Sequence, residues 1–172
     1  QVRYTYVLDA LDDEALLWQN LSARTRRAIR KAEKRLKVRT LDDFEVFVDL
    51  YEKTFRRQDM KAPVDERTLR RVYDEASKRN AVKILVAEDA SGKPHGAVFL
   101  LYDHRTTYYL MGGSDPVFRD SQSLSLLLWK AIKFSGGVSK TFDFEGSMIA
   151  NIESFFRNFG GKRRLYYSLS KM

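Results

Sequence analysis

Asp143 and Glu145 stand two residues apart in the stretch 141–145 (TFDFE), alternating with Phe142 and Phe144. On a strand, the two acids share one face and the two rings share the other. Two carboxylates at one rim raise one another's pKa, and a raised pKa suits a base that takes a proton from an ammonium group. Pairing with a local arginine, or capping the next helix, competes with that reading on even terms. Glu145 is the stronger candidate, because it lies nearer the C-terminal end of the strand, where open α/β sheets place ligands. Met111-Gly112-Gly113 closes another β-like stretch. A glycine bulge there would free N–H groups able to hold a carbonyl oxygen as it gains charge, and an ordinary turn is the competing reading. Arg119, Gln122, Ser123 and Ser125 surround the start of an apolar helix, where they could hydrogen-bond a phosphate or a ribose, or cap the helix. Of the strand tyrosines 108, 109, 166 and 167, most are packing residues, and Tyr167 is a candidate general acid. Ser147 reads as a helix cap, with no histidine nearby to make it a nucleophile.

Composition removes several alternatives. None of the 172 residues is a cysteine, which excludes a disulfide scaffold, a thiol nucleophile and thiolate metal sites, and fits a reducing, cytoplasmic setting. His95 and His104 are the only histidines, leaving almost no material for a metal cluster or a triad. Both lie in or beside turns and read as solvated. No apolar run approaches the ~20 residues of a membrane span. The first residue is Gln1, which suggests a piece of a longer protein.

The net charge of +8 has an address. Nine of the 31 cationic residues fall between Arg24 and Arg39, with Glu33 as the one acid among them, and the rest of the chain is neutral in sum. Such a stripe repels itself and calls for an anionic partner. Arg24, Arg27, Arg30, Lys31 and Lys34 are its candidate contacts. A tRNA, a nucleotide-diphosphate precursor or a lipid-linked precursor at the inner membrane surface would each satisfy it. No aromatics interleave the cations, which argues against single-strand stacking.

The elements that must position these groups follow from periodicity. Residues 3–8 alternate as a strand. Leu17, Leu21, Ile29, Ala32 and Leu36 mark one helical face, and Ser22 as an N-cap divides it into two helices near Asn20. Lys37 to Thr40 reads as an extended link. Two amphipathic helices follow, the first opened by Asp42 with Glu45, the second by Pro63 and Asp65. Strands at 81–88, 96–102 and 107–111 form a meander. A helix apolar nearly all round spans 123–134, then come a strand at 141–145, a helix at 149–159 stopped by Gly160-Gly161, and a closing strand at 164–170. A strand–helix–strand step needs a crossover, so 141–145 lies parallel to 107–111. The expected fold is a single α/β domain with a mixed central sheet and helices on both faces.

This order, with the stretches 21–34 (LSARTRRAIRKAEK), 127–134 (LLWKAIKF), 142–148 (FDFEGSM) and 152–160 (IESFFRNFG), resembles the GNAT acyltransferase superfamily. Within it, the chain is most similar to the branch of FemAB/FemX peptidyltransferases and BioF2-like acetyltransferase domains. The resemblance implies a splayed parallel strand pair, an acyl donor (acetyl-CoA or another acyl-CoA, or aminoacyl-tRNA), and an amine acceptor, as in a cell-wall or sugar precursor. It also implies a second GNAT-like half in the full-length protein. Two departures bear on the donor. GNAT enzymes that use acetyl-CoA carry Arg/Gln-x-x-Gly-x-Gly/Ala, and here Gln122 and Leu124 fill the glycine positions. Many also place a tyrosine four residues before the glycine that ends the next helix, and here that position is Phe156. The alternatives are an acetyl-CoA-dependent acetyltransferase of a small amine and a non-catalytic half that docks an anionic partner through the basic helix.

Overall fold

The computed structural model describes residues 2–56, 59–146 and 150–169. Ser147 therefore lies outside the described residues. The chain runs β1 (Val2–Leu8), α1 (Glu14–Asn20), α2 (Ala23–Glu33), β2 (Lys37–Thr40), α3 (Phe44–Arg56), α4 (Glu66–Ser77), β3 (Val82–Glu88), β4 (Pro94–Tyr102) and β5 (Thr106–Ser114). A 3-10 turn at Pro116–Ser121 leads into α5 (Ser123–Ser135), followed by β6 (Thr141–Asp143), α6 (Ala150–Arg157) and β7 (Lys162–Tyr167). The strands form one seven-stranded sheet in the order β2-β3-β4-β5-β6-β1-β7. All neighbours are antiparallel except β5 and β6, the parallel pair that the crossover rule requires.

Two hydrophobic layers cover the sheet. On one face α5 lies over the centre, with Leu126, Leu127, Leu128, Ala131 and Ile132 all at most 1% exposed against Val98, Leu100 and Phe142. The side chains of α2 join this layer through Ile29 and Ala32. Ser22 accepts from the amide of Thr25 at 3.1 Å, which starts α2 where its sequence predicts. On the other face, Phe44, Phe47 and Leu50 of α3 and Leu69 of α4 pack on Ile84, Val86, Ala97 and Phe99. Gly113 lets α3 approach, since a Cβ there would sit 2.4 Å from the amide nitrogen of Tyr51.

Three expectations change. Lys37–Thr40 is an edge strand, paired antiparallel with β3 from Lys37↔Glu88 to Thr40↔Leu85. Its short length and outward charges hid it. Asp43, rather than Asp42, receives the amide of Glu45, at 3.0 Å, at the start of α3. The strand after α5 stops at Asp143, and Glu145 follows it at φ +60°. Asp143 and Glu145 are thus not two positions of one strand face.

Candidate active site

Strands β5 and β6 are paired at only three positions, Thr106↔Thr141, Thr107↔Phe142 and Tyr108↔Asp143. Beyond them β5 continues to Ser114 against β4 alone, while Phe144 turns to β1, its amide 3.0 Å from the carbonyl of Tyr6. The strands part, and from Tyr109 onward one edge of β5 faces a gap. In the same place β5 carries an extra residue. Leu100 pairs with Tyr109 and Phe99 with Met111, so Leu110 is a bulge. The bulge lies upstream of the glycines expected to make it. Met111 packs on the α3 layer, and Gly112 and Gly113 stay laddered to Val98 and Ala97.

Asp143, the last β6 residue paired with β5, and Glu145 meet in a cavity of about 240 Å³ that Thr5 of β1 and Tyr166 of β7 complete. Asp143 accepts the hydroxyl of Thr5 at 2.5 Å and the amide of Glu145 at 2.8 Å, which pins the turn that carries Glu145. Desolvation, and then the charge of Asp143, raise the pKa of Glu145 above the ordinary glutamate value. Glu145 remains exposed enough to exchange protons with water. Tyr167 is not part of this cavity. Side chains alternate along β7, so Tyr166 faces the acids while Tyr167 points to the opposite face, 75% exposed.

Tyr109 is a residue that sequence reasoning took for packing. It is the first β5 residue beyond the paired segment, and its ring meets Phe156 of α6 edge-on at 5.7 Å. Burial raises its pKa, so the phenol keeps its proton. No hydrogen-bond partner for its Oη is found among the described residues. A Cβ on Gly112 would sit 2.5 Å from that oxygen, so the glycine makes room for it. The hydroxyl is not among the fully buried unpartnered atoms, so it stays open to water and to a ligand.

The start of α5 forms the other wall. Gln122 is its N-cap residue at φ +61°, in the left-handed conformation that a glycine would adopt, and its side chain does not cap the helix. Two cavities flank it. The first, about 250 Å³, is lined by Arg119, Gln122, Ser125 and Phe155 among others; the second, about 330 Å³, reaches Arg24 and Asn151. Gln122, Ser125 and Phe155 border both. Ser125 is 6% exposed, and its hydroxyl has no partner among the described residues. Ser123 is differently used: it is buried and donates to the carbonyl of His95 at 3.4 Å. His95 is not solvated as its turn-side position suggests. It is 8% exposed, stacked on Phe118 at 3.8 Å and 3.3 Å from Asp89, and so steadies the 3-10 turn that delivers Arg119.

The basic helix divides into structural and free cations. Arg26 donates to the carbonyls of Gln19 and Leu21, at 2.9 and 2.7 Å, and caps α1. Arg30 lies over Trp18 at 5.4 Å. Arg24, Arg27, Lys31 and Lys34 are exposed, with no carboxylate within ion-pair distance among the described residues. Their helical spacing puts them on one flank of α2, and Arg24 opens onto the larger cavity. The fold also brings the ring of Phe155 there, an aromatic neighbour that the α2 sequence itself lacks.

Comparison with known proteins gives these features a frame. The acetyltransferase (GNAT) domain profile matches residues 19–147. A search of curated proteins finds no match. Among solved structures, FemX superposes with a TM-score of 0.84 at 15% identity, over 94% of this chain and 59% of its own. The DUF2156 C-terminal domain of a protein assigned as a lysylphosphatidylglycerol synthetase from Agrobacterium fabrum gives 0.64 at 14% identity, over 96% and 60%. AAC(6')-Iy, solved with a CoA-based bisubstrate analogue, gives 0.55 at 13% identity, over 80% and 99%. This chain thus spans about three fifths of the length of FemX and of the DUF2156 protein.

Proposed function

Because the chain belongs to the acetyltransferase (GNAT) domain family, we propose that it is an N-acyltransferase, passing an acyl or aminoacyl group from an activated donor to an amine. One observation carries the reading: two neighbouring parallel strands part after three paired positions, beside a bulge and a pair of carboxylates. The donor lies in the gap with its carbonyl against the bulged edge of β5. Glu145, oriented by the turn that Asp143 pins, takes a proton from the incoming ammonium. The neutral amine attacks the carbonyl carbon, and amides of the bulge receive the developing oxyanion. Such a donor is worth about 10²–10³ in rate. As the tetrahedral intermediate collapses, the bond to the leaving group breaks, the extra proton on the attacking nitrogen passes to the departing atom, and Tyr109 hydrogen-bonds that atom. Glu145 must be ionised to act, so the rate rises with pH through a pKa above that of an ordinary glutamate.

The remainder of the donor passes over the start of α5, between Arg119, Gln122 and Ser125, and its phosphates run toward Arg24, Arg27, Lys31 and Lys34. Side chains at Gln122 and Leu124 obstruct close approach of a pyrophosphate and support aminoacyl-tRNA as donor, with an amine of a cell-wall or sugar precursor as acceptor. A second reading, acetyl-CoA as donor, draws on the left-handed backbone of Gln122, which keeps the turn that such a donor needs.

The test offers acetyl-CoA and alanyl-tRNA separately, with hydroxylamine as a generic acceptor, to the chain and to an Asp143→Asn/Glu145→Gln variant. Hydroxamate should form with one donor, and the variant should lose most of it. Equal hydroxamate from variant and parent would remove the assigned base. Calorimetry showing no heat with either donor at about 1 mM, a concentration at which even weak ligands bind, would remove the transferase reading.

A further inference from the structure

Among the described residues, strand β7 is a free edge of the sheet, and all six of its residues are exposed. Its first half is cationic (Lys162, Arg163, Arg164). Its second half is apolar or aromatic: Leu165, Tyr166 and Tyr167 are 68, 40 and 75% exposed. Val2, opposite Tyr167 on β1, and Leu169 just past the strand extend the same apolar strip. An edge strand presents a row of unpaired backbone groups, which charged side chains normally guard. Here the guard covers one end alone. We propose that this edge is a self-association surface, on which β7 of a second copy pairs antiparallel about a two-fold axis at Leu165.

The register follows from parity and charge. A two-fold axis normal to the sheet keeps each face on its own side, so the axis must pass through a residue position. Centring it on Arg163 or Arg164 sets like charges directly opposite, which is destabilising. Centring it on Tyr166 leaves the cationic end of the strand unpaired. Centring it on Leu165 stacks the two leucines and sets Arg163 across from Tyr167, and Arg164 across from Tyr166, of the second copy. Arg163 and Arg164 then each meet a ring rather than another cation, and Lys162 falls opposite Ser168. Both guanidinium groups are ordered beforehand, Arg164 by Asp9 at 2.9 Å and Arg163 over Tyr4 at 5.1 Å, which lowers the entropic cost of pairing. Tyr166 also lines the acidic cavity, so the second copy delivers its Arg164 to the rim beside Asp143 and Glu145. Two six-residue strands make a small interface, at or below the ~1,200 Å² low end of specific complexes, so association is weak and is sought at micromolar concentrations.

Sedimentation velocity of the 172-residue chain between about 1 and 200 μM should show a reversible monomer–dimer equilibrium. The chain has no cysteine, so a single introduced thiol reports alone. Leu165→Cys places two thiols on the axis, where the Cα separation of about 4.5–5.5 Å suits a disulfide. At Arg164→Cys the separation is diagonal, about 7–8 Å, and does not. Leu165→Cys should cross-link under mild oxidation while Arg164→Cys forms no disulfide, and Leu165→Lys should weaken the dimer at least about tenfold. Both positions are exposed strand sites, so the fold is unaffected. A monomer at the highest concentration, no cross-link at Leu165, or equal cross-linking at both positions would overturn the proposal.

Discussion

The two halves of the sheet are built on different principles. From β2 to β5 every neighbour is laddered, with register shifts at Ala87/Glu88 and at Leu110, and both faces are covered, by α5 on one side and by α3 and α4 on the other. From β5 across to β7 the ladder opens after three pairs, polar groups line the opening, and the last strand is bare. Each buried Val, Leu, Ile or Phe in the first half contributes about 1.5–3 kcal/mol. The second half carries what costs stability at one residue: Glu145 has a raised pKa and stands at positive φ. A rigid half can hold a strained half in place, and the two should therefore respond oppositely to substitution.

The sharpest break comes from Phe99, fully buried between the rings of Phe44 and Phe47. Phe99→Ala should cost about 3–5 kcal/mol in urea unfolding, with any loss of activity tracking the unfolded fraction. In the open half, Glu145→Gln should lower kcat/KM by about 10²-fold or more at neutral pH and remove the basic dependence on pH, while leaving the fold intact. Stability separates the two cases further. A carboxyl whose folded pKa is raised favours the folded state at low pH and costs stability once it ionises, so Glu145→Gln should raise Tm at pH 7, by no more than about 2 °C, and not at pH 4. A lower Tm at pH 7 would make Glu145 structural. Tyr109→Phe should slow turnover about tenfold with unchanged or slightly increased stability, because no partner is lost. Turnover equal to the parent's would return Tyr109 to packing. The smallest expected effect lies on the helix surface. Replacing Arg27, Lys31 and Lys34 by Glu should weaken tRNA binding and flatten its dependence on log[salt], with Tm nearly unchanged. An unaltered salt slope would make the stripe a solvated face.

Local chemistry made much of this legible in advance. The Ser22 and Asp65 caps, the apolar face of α3 and the all-round apolar α5 are encoded within a few residues of where they act, and each forms as its periodicity predicts. The β5–β6 parallel pairing followed from chain connectivity alone. The acidic pair was visible as a spacing, although the strand thought to display it ends between its two members.

Other features depend on partners far away along the chain. Lys37–Thr40 is a strand because β3 offers it an edge. His95 is buried because Phe118 stacks on it. The bulge is at Leu110 because β4 and β5 drift out of register there. Phe155 shares a cavity with Arg24 of α2 across more than a hundred residues of sequence, and Tyr109 has an open strand edge beside it because β6 turns away. Sequence by itself determined which segments fold, which faces they bury and where the charge collects, since propensity, capping and periodicity act over one or two turns. Tertiary structure alone decided where the sheet opens and which side chains look into the opening, because a register shift and a strand divergence are balances between distant surfaces that no local pattern records.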